Sequence, residues 1–265
     1  MPIEKIDNAY YADNNTGVDV NGDRIDVHRN FYSVDMETIN VFPTPVCTGQ
    51  IVPTDQQYHE ANVFLDGLWD EAKRGAWAAE TGLSTGELEH GQELYENPVF
   101  DWLTMPMLTA VKDYWINVVK YRRDYHMYID SMWANLHDEG DTTGEHSHAN
   151  GWGKSHVSCV YYFTKGSQGG EILFKNPLEY IHRLCPLDEC YDSVDRHDSG
   201  PMYDWHEVQP RQFDYVIFPS WLPHKTRPNG PEERIAISMN FSGFPLDPTE
   251  GDFGHVDDLE GEHCS

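Results

Sequence analysis

Residues 144–152 read GEHSHANGW, with His146 and His148 one residue apart in a stretch of Gly, Asn and Ser. Two histidines at i and i+2 in a loop can chelate one metal ion, and neutral imidazoles suit Fe, Zn, Cu or Ni. A second stretch, FPSWLPHKTRPNGPEERIAISMNF, carries His224 and, ten residues later, Arg234. A hairpin of that length lets both side chains point into one cavity. Three converging histidines would leave other coordination positions open. An arginine deeper in the fold can grip a carboxylate with a two-pronged, charge-assisted hydrogen bond. A small diacid could then chelate the metal at one end and pair with Arg234 at the other. Each residue also has a plainer reading. The chain has 14 histidines, a lone His224 suits a surface turn, and a lone Arg234 suits an ion pair. The joint spacing is what favours chemistry.

These residues need a scaffold. Residues 54–78 predict a helix, with Thr54 as N-cap and Val63, Leu65, Leu68 and Trp69 at helical spacing. Residues 99–122 predict a second helix, which Pro106 starts or kinks. From residue 127 onward the texture changes to short runs rich in Val, Ile, Tyr and Phe: 127–136, 156–163, 171–174, 207–210, 214–220 and 234–241. Such runs, broken by Gly, Pro, Asn and Asp, predict a β-sandwich or barrel. The expected organisation is a helical and mixed buttress over 1–126, a β core over 127–245 and an acidic tail over 246–265. No Pro/Ser linker separates them, so one compact unit is expected. The long connection 176–205 reads as a lid, with His182 and Arg183 as substrate-contact candidates.

Forty-five acidic against eighteen basic residues give a formal net charge of −27. That balance argues against phosphate-neutralising contact with nucleic acid and against anionic membranes. No run approaches the apolar length of a membrane span, and no apolar leader opens the sequence. Five scattered cysteines do not form a disulfide framework. Cys185 and Cys190 have the spacing of a zinc half-site, but no second pair completes it. A reduced cytoplasm is the expectation, and a homodimer is compatible with the sequence.

Over residues 127–242 the pattern W-x-N…H-x-H…VYY…FPSWLPH…RI-x-x-S-x-N resembles the Fe(II)- and 2-oxoglutarate-dependent oxygenases of prolyl-hydroxylase type, and within them a subgroup from bacteria and phages. The resemblance implies a double-stranded β-helix (jelly roll, cupin-like), mainly β, with N-terminal helices packed against it. It implies metal ligation by His146 and His224, and 2-oxoglutarate binding by Arg234, Tyr162 and Ser238. Tyr162 lies 14 residues after position 148. GGEILF (169–174) resembles the Gly-Gly-containing strand of the family. The activity implied is oxidative decarboxylation of 2-oxoglutarate to succinate, with O2 as cosubstrate, coupled to C–H oxidation of a peptidyl or small-molecule substrate.

One position departs from the family. The usual metal-binding carboxylate would stand at 148, where this chain has His148. A third neutral ligand leaves the metal about one unit more positive. Alternatively Asp138, Glu139 or Glu145 supplies the carboxylate, or His148 does not bind. His137-x-Glu139 is a second candidate pair, but it lies far from Tyr162 along the chain. Asn135 is a candidate for reaching the site from a neighbouring strand. Two rivals stand beside the oxygenase reading: a three-histidine cupin dioxygenase that does not use 2-oxoglutarate, and a non-catalytic jelly-roll binding protein.

Overall fold

The computed structural model describes residues 16–18, 24–26, 43–75, 80–123, 125–148, 155–177 and 205–245. Backbone contacts divide the chain into Met1–Thr44 and Pro45–Ser265. In the first unit, β1 (Thr16–Val18) pairs antiparallel with β2 (Arg24–Asp26). The division falls at 44/45, so the two helices belong to the same unit as the β core. The tail, residues 246–265, lies outside the described residues, as do Cys185, Cys190, His182, Arg183 and most of the expected lid.

The second unit opens with β3 (Cys47–Gln50) and helix α1 (Asp55–Trp69). Thr54 caps α1 in a reciprocal capping box: its hydroxyl accepts from the Gln57 amide, and the Gln57 side chain accepts from the Thr54 amide. The helix stops well short of residue 78. Glu71 and Ala72 both turn back onto the Leu68 carbonyl, and Gly75 follows at φ +67°, a conformation a helix cannot continue. After β4 (Leu83–Ser84) comes α2 (Asp101–Asp113), which passes into a π-turn over Tyr114–Val118. Pro106 lies inside α2 rather than at its start.

Seven strands follow: β5 (Tyr125–His137), β6 (Val157–Thr164), β7 (Ile172–Lys175), β8 (Trp205–Val208), β9 (Asp214–Pro219), β10 (His224–Thr226) and β11 (Arg234–Pro245). They form a six-stranded sheet, β3-β9-β6-β11-β5-β4, and a three-stranded sheet, β10-β7-β8. All pairings within both sheets are antiparallel. This is the jelly-roll arrangement the sequence predicts.

The alternation of side chains along each strand sorts the large sheet into two faces. Met132, Ala134 and Leu136 of β5, Cys159, Tyr161 and Phe163 of β6, and Ile235, Ile237, Met239 and Phe241 of β11 share one core with Ala61 and Leu65 of α1 and Leu103, Met107 and Val111 of α2. The opposite face carries a different set. Tyr162, Val216 and Phe218 pack there with Ile172 and Phe174 of the small sheet in a second, smaller core. The polar residues of β5 and β11 alternate with the first core, so the pleat directs them to the second face: Ser131 and Asn135, with Arg234, Ser238 and Asn240.

Candidate metal centre

The loop after β5 is fixed by backbone hydrogen bonds to the β9–β10 segment. His146 and His224 exchange both backbone bonds, at 3.0 and 2.9 Å, and the His148 amide donates to the Ser220 carbonyl at 2.9 Å. Thr226 donates to the Thr143 carbonyl at 2.9 Å. The loop therefore runs beside β10 like a short extra strand, which places His146 directly against His224.

Each imidazole is oriented through Nδ1. The acceptors are the Gly144 carbonyl for His146 (2.9 Å), Asn240 Oδ1 for His148 (2.7 Å) and the Leu222 carbonyl for His224 (2.9 Å). A carbonyl only accepts, so each Nδ1 carries the proton and each Nε2 presents a lone pair. The Nε2 atoms of His146 and His148 are 3.2 Å apart, and the ligand atoms of all three residues lie within 4.8 Å of one another. Two lone pairs facing at that distance repel unless a cation lies between them. Adjacent nitrogen ligands about 2.1 Å from one metal are separated by about 3 Å, which the first pair matches. Burial, then the neighbouring His146, pushes the His148 pKa down to about 4. Burial, reinforced by His146 and His148, holds His224 well below the usual imidazole value. Both are thereby kept in the neutral form that binds metal.

His148 has the longest chain of support. The β11 register sets Asn240 opposite Ser131 on one side and Ser158 on the other. Asn240 Oδ1 accepts from His148 and from Ser158 (2.8 Å), and Asn240 Nδ2 donates to Ser131 Oγ at 3.0 Å. Ser131 donates in turn to Asp130 Oδ1 at 3.0 Å. A buried amide thus links His148 to a carboxylate two residues away in the chain of hydrogen bonds. None of the alternative carboxylates reaches the cluster. Asp138 pairs with Arg74, Glu145 pairs with Lys175, and the only metal-competent group among the described residues is the three histidines. His137 is also accounted for, since both its ring nitrogens are engaged by Glu80 and Arg234.

Arg234 lies in the same cavity as the three histidines and is 2% exposed. Its Nη1 donates to the Gly170 carbonyl at 2.8 Å and its Nη2 to His137 Nδ1. Its Nε is buried and is the one guanidinium nitrogen with no partner among the described residues, although a buried donor is normally met. Tyr162 and Ser238 line the same cavity, and burial raises the Tyr162 phenol so that it stays a hydrogen-bond donor. Asn135 lines it too, accepting from Ser84 Oγ at 2.7 Å. The donor set fits a metal held by three imidazole lone pairs and an anionic carboxylate placed against the unmet Arg234 Nε–H.

Sequence reasoning brought together His146, His148, His224, Arg234, Tyr162, Ser238 and Asn135. It missed the roles of Glu80, His137 and Asp130, and it read Asn240 as part of a motif without a task. The even spacing of 234, 238 and 240 was the available signal for Asn240, because it puts all three on one strand face.

A family model described as "Putative 2OG-Fe(II) oxygenase" matches residues 131–240. The match covers 110 of the 265 residues, and over that stretch the chain is similar to the 2OG-Fe(II) oxygenases. The matched segment begins at Ser131 and ends at Asn240, the two residues that carry the His148 chain. Among curated proteins none matches the chain in sequence. Solved structures resemble it at low identity. The non-heme alpha-ketoglutarate-dependent epimerase SnoN from nogalamycin biosynthesis is 14% identical with a TM-score of 0.51, covering 84% of this chain and 87% of that one. A prolyl-4-hydroxylase from Pseudomonas putida is 16% identical with a TM-score of 0.48, covering 75% and 92%. A prolyl hydroxylase from Trichoplax adhaerens is 13% identical with a TM-score of 0.49, covering 74% and 83%. The SnoN likeness shows the jelly-roll fold. The description of the family names Fe(II) and 2-oxoglutarate as what its members use.

Proposed function

We propose that His146, His148 and His224 hold the Fe(II) through Nε2, and that Arg234, Tyr162 and Ser238 hold the distal carboxylate of 2-oxoglutarate. The reaction is hydroxylation of a C–H bond in a small-molecule or peptidyl substrate. One observation carries the assignment: three imidazole lone pairs converge in one cavity with a buried, unpartnered Arg234 Nε–H. When bound, the iron and cosubstrate supply oxidation by O2 coupled to loss of CO2 from the oxo acid. The protein's own residues orient and exclude. The three Nδ1 acceptors lock the rings, so no tautomer change is needed on binding. Arg234 Nε and the Tyr162 hydroxyl each donate to the carboxylate, and Ser238 adds a third polar contact. Trp133 stacks on His148 at 5.7 Å, and Phe218 lies edge-on to His224 at 4.7 Å. These rings pack against two of the three imidazoles.

The formal charge of −27 supports a substrate other than nucleic acid. Cys47 and Cys159 are free thiols, which is compatible with a reducing cytoplasm, and a homodimer is an expectation for size-exclusion measurement. Succinate release is the test of function. With Fe(II), O2 and 2-oxoglutarate, the wild type releases succinate, and Arg234→Ala and His224→Ala do not. Oxygen consumption without succinate would favour the three-histidine dioxygenase that does not use 2-oxoglutarate. No consumption and no retained iron would favour a binding protein.

A further inference from the structure

Arg234 faces His137 across the β11–β5 register, and His137 is fully buried. Arginine can only donate, so His137 Nδ1 accepts from Arg234 Nη2, and the ring proton lies on Nε2. That Nε2–H donates to Glu80 Oε1. The same carboxylate oxygen accepts from Thr143 Oγ1 at 2.7 Å. Glu80 is 6% exposed and lines the cavity that holds Arg234. It comes from a part of the chain outside the matched residues 131–240, brought in where Glu80 bridges Thr143.

We propose that Glu80 and His137 are positioning residues for Arg234, and that Glu80 sets the affinity of the enzyme for 2-oxoglutarate. This rests on the cosubstrate reading given above. The relay does two opposing things. Geometrically, it fixes the guanidinium plane: Nη1 is held by Gly170 and Nη2 by His137, and Nε is left without a partner among the described residues. A carboxylate that enters the cavity then meets a guanidinium whose plane is already set. Electrostatically, Glu80 already balances the arginine charge through a neutral imidazole. A bound cosubstrate makes a second carboxylate near one guanidinium, and like charges in a buried site repel. The fold thus trades affinity for a preset arginine. Gly170 is part of the same device. Its φ is +67°, and a Cβ there would lie 2.9 Å from Arg234 Nη1.

The test separates orientation from charge. Glu80→Gln keeps an acceptor for His137 Nε2–H and Thr143 and removes only the charge. Glu80→Ala removes both. In anaerobic, Fe(II)-loaded protein, calorimetric titration with 2-oxoglutarate should give roughly tenfold tighter binding for Glu80→Gln, from loss of one nearby charge, and weaker binding for Glu80→Ala. A merely structural Glu80 would weaken binding in both variants or in neither. The His137 ring gives a readout independent of cosubstrate: its 15N shifts should show protonated Nε2 and bare Nδ1 in the wild type and in Glu80→Gln. A protonated Nδ1, or 2-oxoglutarate affinities of both variants within twofold of the wild type, overturns the proposal. If the wild type itself fails to bind 2-oxoglutarate, the cosubstrate reading falls first and takes this inference with it.

Discussion

Asn240→Ala isolates the question of whether His148 is a ligand. Asn240 is 8% exposed, and it touches His148 Nδ1, Ser158 and Ser131. Ser158 keeps its bond to Ser220 at 2.9 Å, and Ser131 keeps Asp130. The group left without a partner is the His148 Nδ1–H, largely buried beneath Trp133. A buried donor left unmet costs about 1–3 kcal/mol, and part of that cost is avoided if the ring rotates out of the site. Loss of a hydrogen-bond partner behind a metal-bound histidine lowers metal affinity by about 10–100-fold. The expected result is therefore an Fe(II) affinity reduced by that factor, measured anaerobically by competition with a chromophoric chelator. Asn240→Asp should restore or exceed wild-type affinity, because a carboxylate accepts from Nδ1–H more strongly than an amide. Asn240 acts on the metal only through His148. If Asn240→Ala binds Fe(II) within twofold of the wild type, His148 is not a ligand and a two-histidine site must be considered.

Tyr162→Phe removes one neutral donor to the cosubstrate carboxylate, worth about 1 kcal/mol. The 2-oxoglutarate KM should rise about fivefold with kcat little changed, read from initial rates of succinate release. Gly170→Ala forces a side chain into a left-handed position against Arg234 Nη1. It should lower stability by about 1–3 kcal/mol, seen in chemical denaturation, and weaken 2-oxoglutarate binding at the same time. Leu65→Ala opens a cavity in the fully buried helix–sheet core, at a cost of about 2–5 kcal/mol, while Fe(II) affinity in the folded protein stays unchanged. That contrast separates the core that carries the site from the site itself.

Much of this was legible in the sequence because strands state their faces in every second residue. Once RIAISMNF is a strand, Arg234, Ser238 and Asn240 share a side, and Ile235, Ile237 and Met239 share the other. His146, His148, His224 and Arg234 were legible by spacing for the same reason. The helix ends were harder. The 54–78 pattern overran because Lys73, Arg74 and Gly75 continue a polar periodicity that the chain abandons to reach β4, where Arg74 ties to Asp138 and Asp141. The 99–122 pattern overran because its apolar residues persist through a π-turn. Glu80 and His137 were out of reach. A buried Glu–His pair depends on residues 57 positions apart closing on one another, and no local motif pairs them. His137 looked like half of a metal pair because its sequence neighbours are acidic. The register gave it to Arg234 instead.

The central claim is that three histidines and Arg234 form one site for Fe(II) and 2-oxoglutarate. An anaerobic titration tests it directly by following the weak visible charge-transfer absorption that arises when an oxo acid chelates protein-bound Fe(II). The account predicts a band that needs both Fe(II) and 2-oxoglutarate in the wild type, is lost in His148→Ala, and in Arg234→Ala forms only at much higher 2-oxoglutarate. A wild type that gives no more absorption than buffer, or an Arg234→Ala titration that overlays the wild type, would contradict it.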